Sequence, residues 1–214
     1  MNSLQPIKLL PARERVASVL RKAILSKEMP EGSIITLEGI ASQLEVSNTP
    51  VREAFQILAR DGLIKLRPNK GAEILGVTPK TIKDHYETRA ILERAAAAAV
   101  CRNGADISEI ESAHRNSKEA LDAGDSKSYS NFNQAFHMAI WTASGNDKVK
   151  ALLSEMWNGL SMGHKVTEEE YAHISITEHE KILEAILARN EDLAKKRMNA
   201  HIVRSMENIL THFD

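Results

Sequence analysis

The chain has 214 residues, 43% of them apolar and 27% charged, with a formal net charge of −1. That composition carries enough apolar surface to offset chain entropy, so a disordered chain is excluded as the main state. No apolar run reaches the roughly 20 residues that span a bilayer, and Met1 to Lys8 lacks the apolar stretch of a secretory signal. The single cysteine, Cys101, forbids an intrachain disulfide, so a reducing, cytoplasmic setting and no membrane partner are expected. Charge divides unevenly: residues 1–77 carry 11 Lys/Arg against 8 Asp/Glu, and residues 78–214 carry 17 against 21. A balance of +3 in the first part permits phosphate binding without requiring it.

The first helical period runs from Ala12 to about Ser26, with Val16, Val19, Leu20, Ala23 and Ile24 on one face. Met29-Pro30-Glu31-Gly32 stops it, and Ile34-Ile35 follows as a short extended piece. Leu37, Ile40, Ala41 and Leu44 mark a short helix that breaks at Glu45-Val46. A second helix starts between Ser47 and Pro50 and runs to about Asp61, with Ser47 or Thr49 as its cap and Gly62 closing it. The period then changes from helical to extended. Leu63–Leu66 and Ala72–Leu75 flank the turn Arg67-Pro68-Asn69-Lys70-Gly71, which predicts a β-hairpin with a basic tip.

Beyond Gly76-Val77-Thr78-Pro79 no strand pattern appears. Six or seven helices are expected, near 79–102, 106–122, 126–143, 147–164, 168–188 and 191–212, with stops at Asn103-Gly104, Ala123-Gly124 and Ser144-Gly145-Asn146. The expected architecture is mainly α: a winged helix-turn-helix over 1–77, made of three helices and a hairpin wing, then an all-α bundle over 78–214.

The segment Ser47 to Ala54 has the polarity of a groove-reading helix. Val51, Ala54, Phe55 and Leu58 fall on one face; Asn48, Thr49, Arg52 and Gln56 fall on the other. Short polar groups at a helix N-terminus grip phosphate, and Arg or Asn reads base edges. Lys70 and Gly71 at the hairpin tip reach an adjacent groove or phosphate, and Arg21 and Lys22 are placed on the outer side of the first helix as phosphate contacts. The run Ala41–Leu44, then Val46-Ser47-Asn48-Thr49-Pro50-Val51-Arg52-Glu53-Ala54, Leu58, Gly62-Leu63-Ile64 and Asn69-Lys70-Gly71 resembles the GntR family of bacterial regulators over residues 10–77. The resemblance implies that the second short helix enters the major groove, with Ser47, Asn48, Thr49, Arg52, Lys70 and Gly71 facing DNA. The chain departs from the family's habit at Asn48, usually Arg, and at Glu38, where some members carry Arg.

In the second part, Asn133 and His137 lie one turn apart, His179 is flanked by Ile182, Leu183 and Ile186, and His201 by Met198 and Ile202. Three imidazoles and one oxygen suit zinc, nickel or manganese, although a lone histidine on an apolar face is more often a core residue. The stretches Tyr86–Glu93, Phe132–His137, Ala143–Asn146, Glu178–Ile186 and His201 resemble the FCD domain of the FadR-type subfamily over residues 79–212. That resemblance implies a metal held by Asn133, His137, His179 and His201, a small organic acid effector, and Arg89 facing the same cavity. The family pattern has Asp where this chain has Asn133, which removes one negative charge from the ligand set. The remaining histidines, His85, His114, His164, His173 and His212, read as ordinary core or surface residues.

These readings converge on a cytoplasmic homodimer that binds a near-palindromic double-stranded operator. The resemblance implies repression relieved by an effector, with activation as the alternative. The competing readings are a metal-dependent hydrolase with an accessory N-terminal domain and a pure metal sensor. Against the hydrolase, the chain holds no HExxH and no nucleophile motif.

Overall fold

The computed structural model describes residues 11–25, 27–68, 70–157 and 169–211. They fall into two compact units that part between Thr78 and Pro79.

The first unit runs α1 (Ala12–Leu25), β1 (Ile34–Ile35), α2 (Leu37–Gln43), α3 (Asn48–Arg60), β2 (Ile64–Arg67) and β3 (Gly71–Ile74). Thr36 caps α2 by accepting from the Gly39 amide at 3.0 Å. Glu45 takes a left-handed turn at φ 52°, and the Val46 amide closes back on the Ala41 carbonyl at 3.0 Å. This locks the turn between α2 and α3 at the expected break. At the far end of α3, Gly62 adopts φ 72° while Leu63 N–H reaches the Leu58 carbonyl and Gly62 N–H the Ala59 carbonyl. That double bond pattern, which favours glycine, satisfies the last carbonyls and turns the chain into β2. The expected capping by Ser47 or Thr49 needs correction: Ser47 is the N-cap, but its side chain makes no capping hydrogen bond.

The strands form an antiparallel sheet in the order β1-β3-β2, with Ile35 opposite Ala72 and Arg67 opposite Gly71. The hairpin strands sit one residue off the expected runs, and β1 adds the third strand. Val16, Leu20, Val51, Phe55, Leu58 and Ile74 lie in the shared core under the helices and sheet. Amphipathic α3 thus buries Val51, Ala54, Phe55 and Leu58 and leaves its polar face outside.

The second unit is helical: α4 (Pro79–Asn103), α5 (Ser108–Asp122), α6 (Ser126–Ala143), α7 (Asp147–Trp157), α8 (Glu169–Leu187) and α9 (Glu191–Thr211). The last part of the helix expected over 147–164 lies outside the described residues. Helix α4 packs along α9, α5 along α6, and α8 against α9. Ala96, Ala97 and Ala98 are buried on α4, where small side chains permit close helix approach. Phe136, Ile140, Trp141, Leu153, Ile182, Met198 and Ile202 are among the buried side chains of this unit, and the Phe136 and Trp141 rings lie beside His137.

Candidate functional site

On the first unit, Ser47, Asn48, Thr49, Arg52 and Gln56 are all exposed, so the outward face expected of α3 is present. Lys70 is exposed at the wing, while its neighbour Arg67 is engaged by Glu73 across the hairpin, Nε to Oε2 at 2.8 Å. Gly71 has a structural reason to be glycine: β1 passes directly against it. Asn69 lies outside the described residues.

Arg21 requires a correction. It does not point outward from α1; it is 4% exposed and donates to Asp61 Oδ2 at 2.6 Å. Its position follows Val16, Ala17, Leu20 and Ile24 onto the buried face, so the guanidinium tethers α1 to the end of α3. Lys22, one residue on, is exposed as expected.

In the second unit, His137 from α6, His179 from α8 and His201 from α9 converge. All three are buried, and one ring nitrogen from each lies within 4.8 Å of the others. His179 Nε2 stands 3.3 Å from His201 Nε2. Two donors on one tetrahedral ion with bonds of about 2.0–2.1 Å would stand about 3.3 Å apart, so the spacing fits a metal. Among the described residues His179 Nδ1 is buried without a hydrogen-bond partner, a second sign that the cluster is not merely a satisfied polar core. Asn133 is half-buried one turn before His137 on α6.

Carboxylates stand behind two of the histidines. Glu93 Oε2 lies 3.2 Å from His137 Nδ1 and accepts Trp141 Nε1–H at 2.8 Å. Glu178 Oε2 lies 2.7 Å from His201 Nδ1. Burial alone would raise the Glu93 carboxyl, but His137 and Arg89 beside it bring it down to about 2. Burial works against the charge of Glu178 too, and hydrogen bonds from His201 and Arg204 outweigh it, holding the carboxyl below its usual range. Burial lowers His201 to about 4 against the opposing pull of Glu178, and lowers His179 well below the ordinary imidazole value. Neutral imidazoles are the form that ligates a metal.

Arg89 is buried on α4. Its Nε donates to Glu93 Oε1 at 3.0 Å, and its guanidinium lies 4.4 Å from the Trp157 ring centroid. It therefore joins the histidine cluster through Glu93. Glu93 and Glu178 were both within the resembling stretches but carried no signal as site residues, because pairing across helices has no sequence period. Of the other histidines, His114 is buried on α5 against Phe136, His85 is half-buried, and His173 is exposed; His164 and His212 lie outside the described residues.

A winged helix-turn-helix with a polar recognition face, followed by a helical unit with a buried histidine centre, defines a DNA-binding regulator with a ligand-sensing domain. The family model for bacterial regulatory proteins of the gntR family matches residues 12–74, and the FCD domain model matches residues 84–204. The chain belongs to the GntR family of bacterial regulators and carries an FCD domain.

It is 27% identical over 199 residues to the gluconate operon transcriptional repressor of Bacillus licheniformis, covering 86% of this chain and 79% of that one. A GntR transcriptional regulator from Rhodococcus sp. RHA1 shares its structure with a TM-score of 0.66 at 25% identity, over 93% of this chain and 97% of that one. Escherichia coli McbR/YncC superposes with a TM-score of 0.71 at 19% identity, over 96% of this chain and 100% of that one, a likeness of fold. The protein is a ligand-responsive, DNA-binding transcription regulator and not an enzyme, which sets aside the hydrolase reading. Among the described residues no helix is long and apolar enough to cross a membrane.

Proposed function

We propose that this protein is a cytoplasmic, homodimeric repressor whose grip on a near-palindromic operator is released by a small organic acid bound at a divalent metal centre. The single observation that carries the sensing half of this reading is the convergence of His137, His179 and His201 from three helices on one buried point. The metal would be zinc, nickel or manganese, held by these imidazoles with Asn133 as the oxygen donor. A bound ion supplies a Lewis-acidic position that an effector carboxylate can occupy. Arg89 supplies a planar guanidinium for the same anion. With an amide at Asn133 instead of a carboxylate, the ligand set is neutral, so the ion keeps its full charge and favours an anionic effector.

On the reading heads, α3 lies in the major groove with Ser47, Asn48 and Thr49 at its N-terminal end and Arg52 one turn on, while Lys70 and Gly71 approach the backbone from the wing. The effector acts only through different affinities for the operator-bound and free arrangements of the dimer.

The test combines two measurements on the full-length protein. Genomic fragments selected by the wild type give an operator for anisotropy titration, and the Asn48→Ala/Arg52→Ala double variant is expected to lose its preference while keeping its metal content. Titration of a panel of mono-, di- and tricarboxylic acids into the metal-loaded complex is expected to release DNA. Release by metal alone, with no response to any acid, would replace the organic effector with metal sensing. Absence of any salt-dependent duplex preference would remove the regulator reading.

A further inference from the structure

Two arginine–carboxylate–histidine chains end at the histidine cluster. In one, Arg89 Nε donates to Glu93 Oε1 at 3.0 Å, and Glu93 Oε2 faces His137 Nδ1 at 3.2 Å. In the other, Arg204 Nε donates to Glu178 at 3.1 Å, and Glu178 Oε2 faces His201 Nδ1 at 2.7 Å. Arg204 is itself held by Ser175 Oγ at 2.9 Å and lies 4.5 Å from the Tyr171 ring centroid. Among the described residues the third histidine has no such chain. His179 stacks on Phe136 at 4.3 Å between centroids, and its buried Nδ1 has no hydrogen-bond partner among them.

Proton accounting follows from these contacts. An ionised carboxylate only accepts, so the proton on His137 and on His201 belongs on Nδ1, and Nε2 of each keeps its lone pair. His201 Nε2 is then the acceptor in its 3.3 Å contact with His179 Nε2, and His179 is the donor. His179 is left with an unmet acceptor at Nδ1 rather than an unmet donor.

We propose that Glu93 and Glu178 are positioning residues that pre-set His137 and His201 as Nε2 donors, with Arg89 and Arg204 clamping the carboxylates. His179 is then the one ligand whose Nε2 proton has to move to its own Nδ1 before that nitrogen can donate. This rests on the reading of the cluster as a metal centre. It also gives Arg89 a role besides effector contact, because an incoming anion at Arg89 draws on the same guanidinium that steadies Glu93 and, through it, His137. Partners that orient a ligating imidazole are worth about 10–100-fold in metal affinity.

The test starts with full-length protein stripped of metal, labelled with 15N-histidine and assigned by single His→Gln variants. Long-range 1H–15N spectra are expected to show the Nδ1–H tautomer at His137 and His201 and the Nε2–H tautomer at His179. An Nε2–H tautomer at His137 or His201 overturns the proposal. Titration with Co2+ then compares wild type, Glu178→Gln and Glu178→Ala; Glu178 is partly exposed, so these variants leave no fully buried cavity. The alanine variant is expected to bind Co2+ about 10–100-fold more weakly and to lose the fixed His201 tautomer, and the glutamine variant, which keeps an acceptor oxygen, is expected to lose less. Equal affinity in all three overturns the positioning role while leaving the metal centre standing. A wild type with the expected tautomers that binds no Co2+ overturns the metal reading and this inference with it.

Discussion

Gly71 turns against the Ile35 carbonyl so closely that a Cβ on Gly71 would lie 2.0 Å from the oxygen, with the backbone at φ 88°. β1 and the wing are thus held together by the absence of a side chain. Gly71→Ala is expected to destabilise the first unit by roughly 2–4 kcal/mol, because left-handed strain and a backbone clash act together. Urea unfolding reads this directly. DNA affinity should fall with it, whereas Lys70→Ala, at an exposed position, should leave the unfolding midpoint in place.

Arg21 is expected to matter for stability rather than for phosphate contact. Arg21→Met leaves Asp61 without its partner at 2.6 Å and should cost roughly 2–4 kcal/mol. In the folded protein the slope of log affinity against log salt should be unchanged. A slope shallower by about 0.9 would instead mark a lost phosphate contact.

Arg52 and Lys70 should separate recognition from adhesion. Arg52→Ala is expected to cost about 1–3 kcal/mol on the operator and much less on unrelated duplex. Lys70→Ala is expected to weaken both alike and to reduce the salt slope by about 0.9. Competition titrations over a range of salt concentrations distinguish the two patterns.

Removing Arg89 should do two things at once. Arg89→Ala leaves Glu93, which is fully buried, without its cation, so thermal stability falls along with effector response. Arg89→Lys keeps a charge near Glu93 but loses the forked geometry for a carboxylate. The lysine variant is expected to stay folded, bind operator normally and require at least about tenfold more acid for release. Operator affinity that falls in step with effector response would take Arg89 out of the sensing site.

Acid should weaken the metal-free protein in a defined window. Burial lowers His201 from 6.5 to about 4, so between those values the unfolded chain binds the proton and the folded chain does not. Its contribution is complete above about pH 6.5 and is lost as pH falls toward 4, amounting to about 3 kcal/mol. His179 shifts the same way, and Glu93, lowered from 4.5 to about 2, adds a further loss at lower pH. Urea midpoints from pH 8 to pH 4 should therefore decline. Added Zn2+ at a hundredfold excess over its Kd should stabilise the fold at pH 7 by about 2.7 kcal/mol and so raise the urea midpoint, and a chelator should reverse that gain.

Local periodicity in the chain was sufficient for most elements. The apolar spacing of α3, the break at Glu45, the turn at Gly62 and the glycine-marked ends of α4, α5 and α6 are short-range effects, and each residue involved lies within a turn of its cause. On α1 the helix was legible but its face only in part: Val19, expected inside, is 51% exposed, and Ala17 and Arg21 are buried instead. The outward set Asn48, Thr49 and Arg52 was legible for the same reason, since a helix face repeats every three to four residues. What tertiary structure alone decided is pairing between elements distant in sequence. Arg21 finds Asp61 40 residues away, Glu93 meets His137 44 residues on, and His201 meets His179 across 22. No local pattern encodes such meetings, because they are set by how the helices pack. Spacing alone therefore left His137, His179 and His201 as isolated residues on apolar faces, and packing made them one centre.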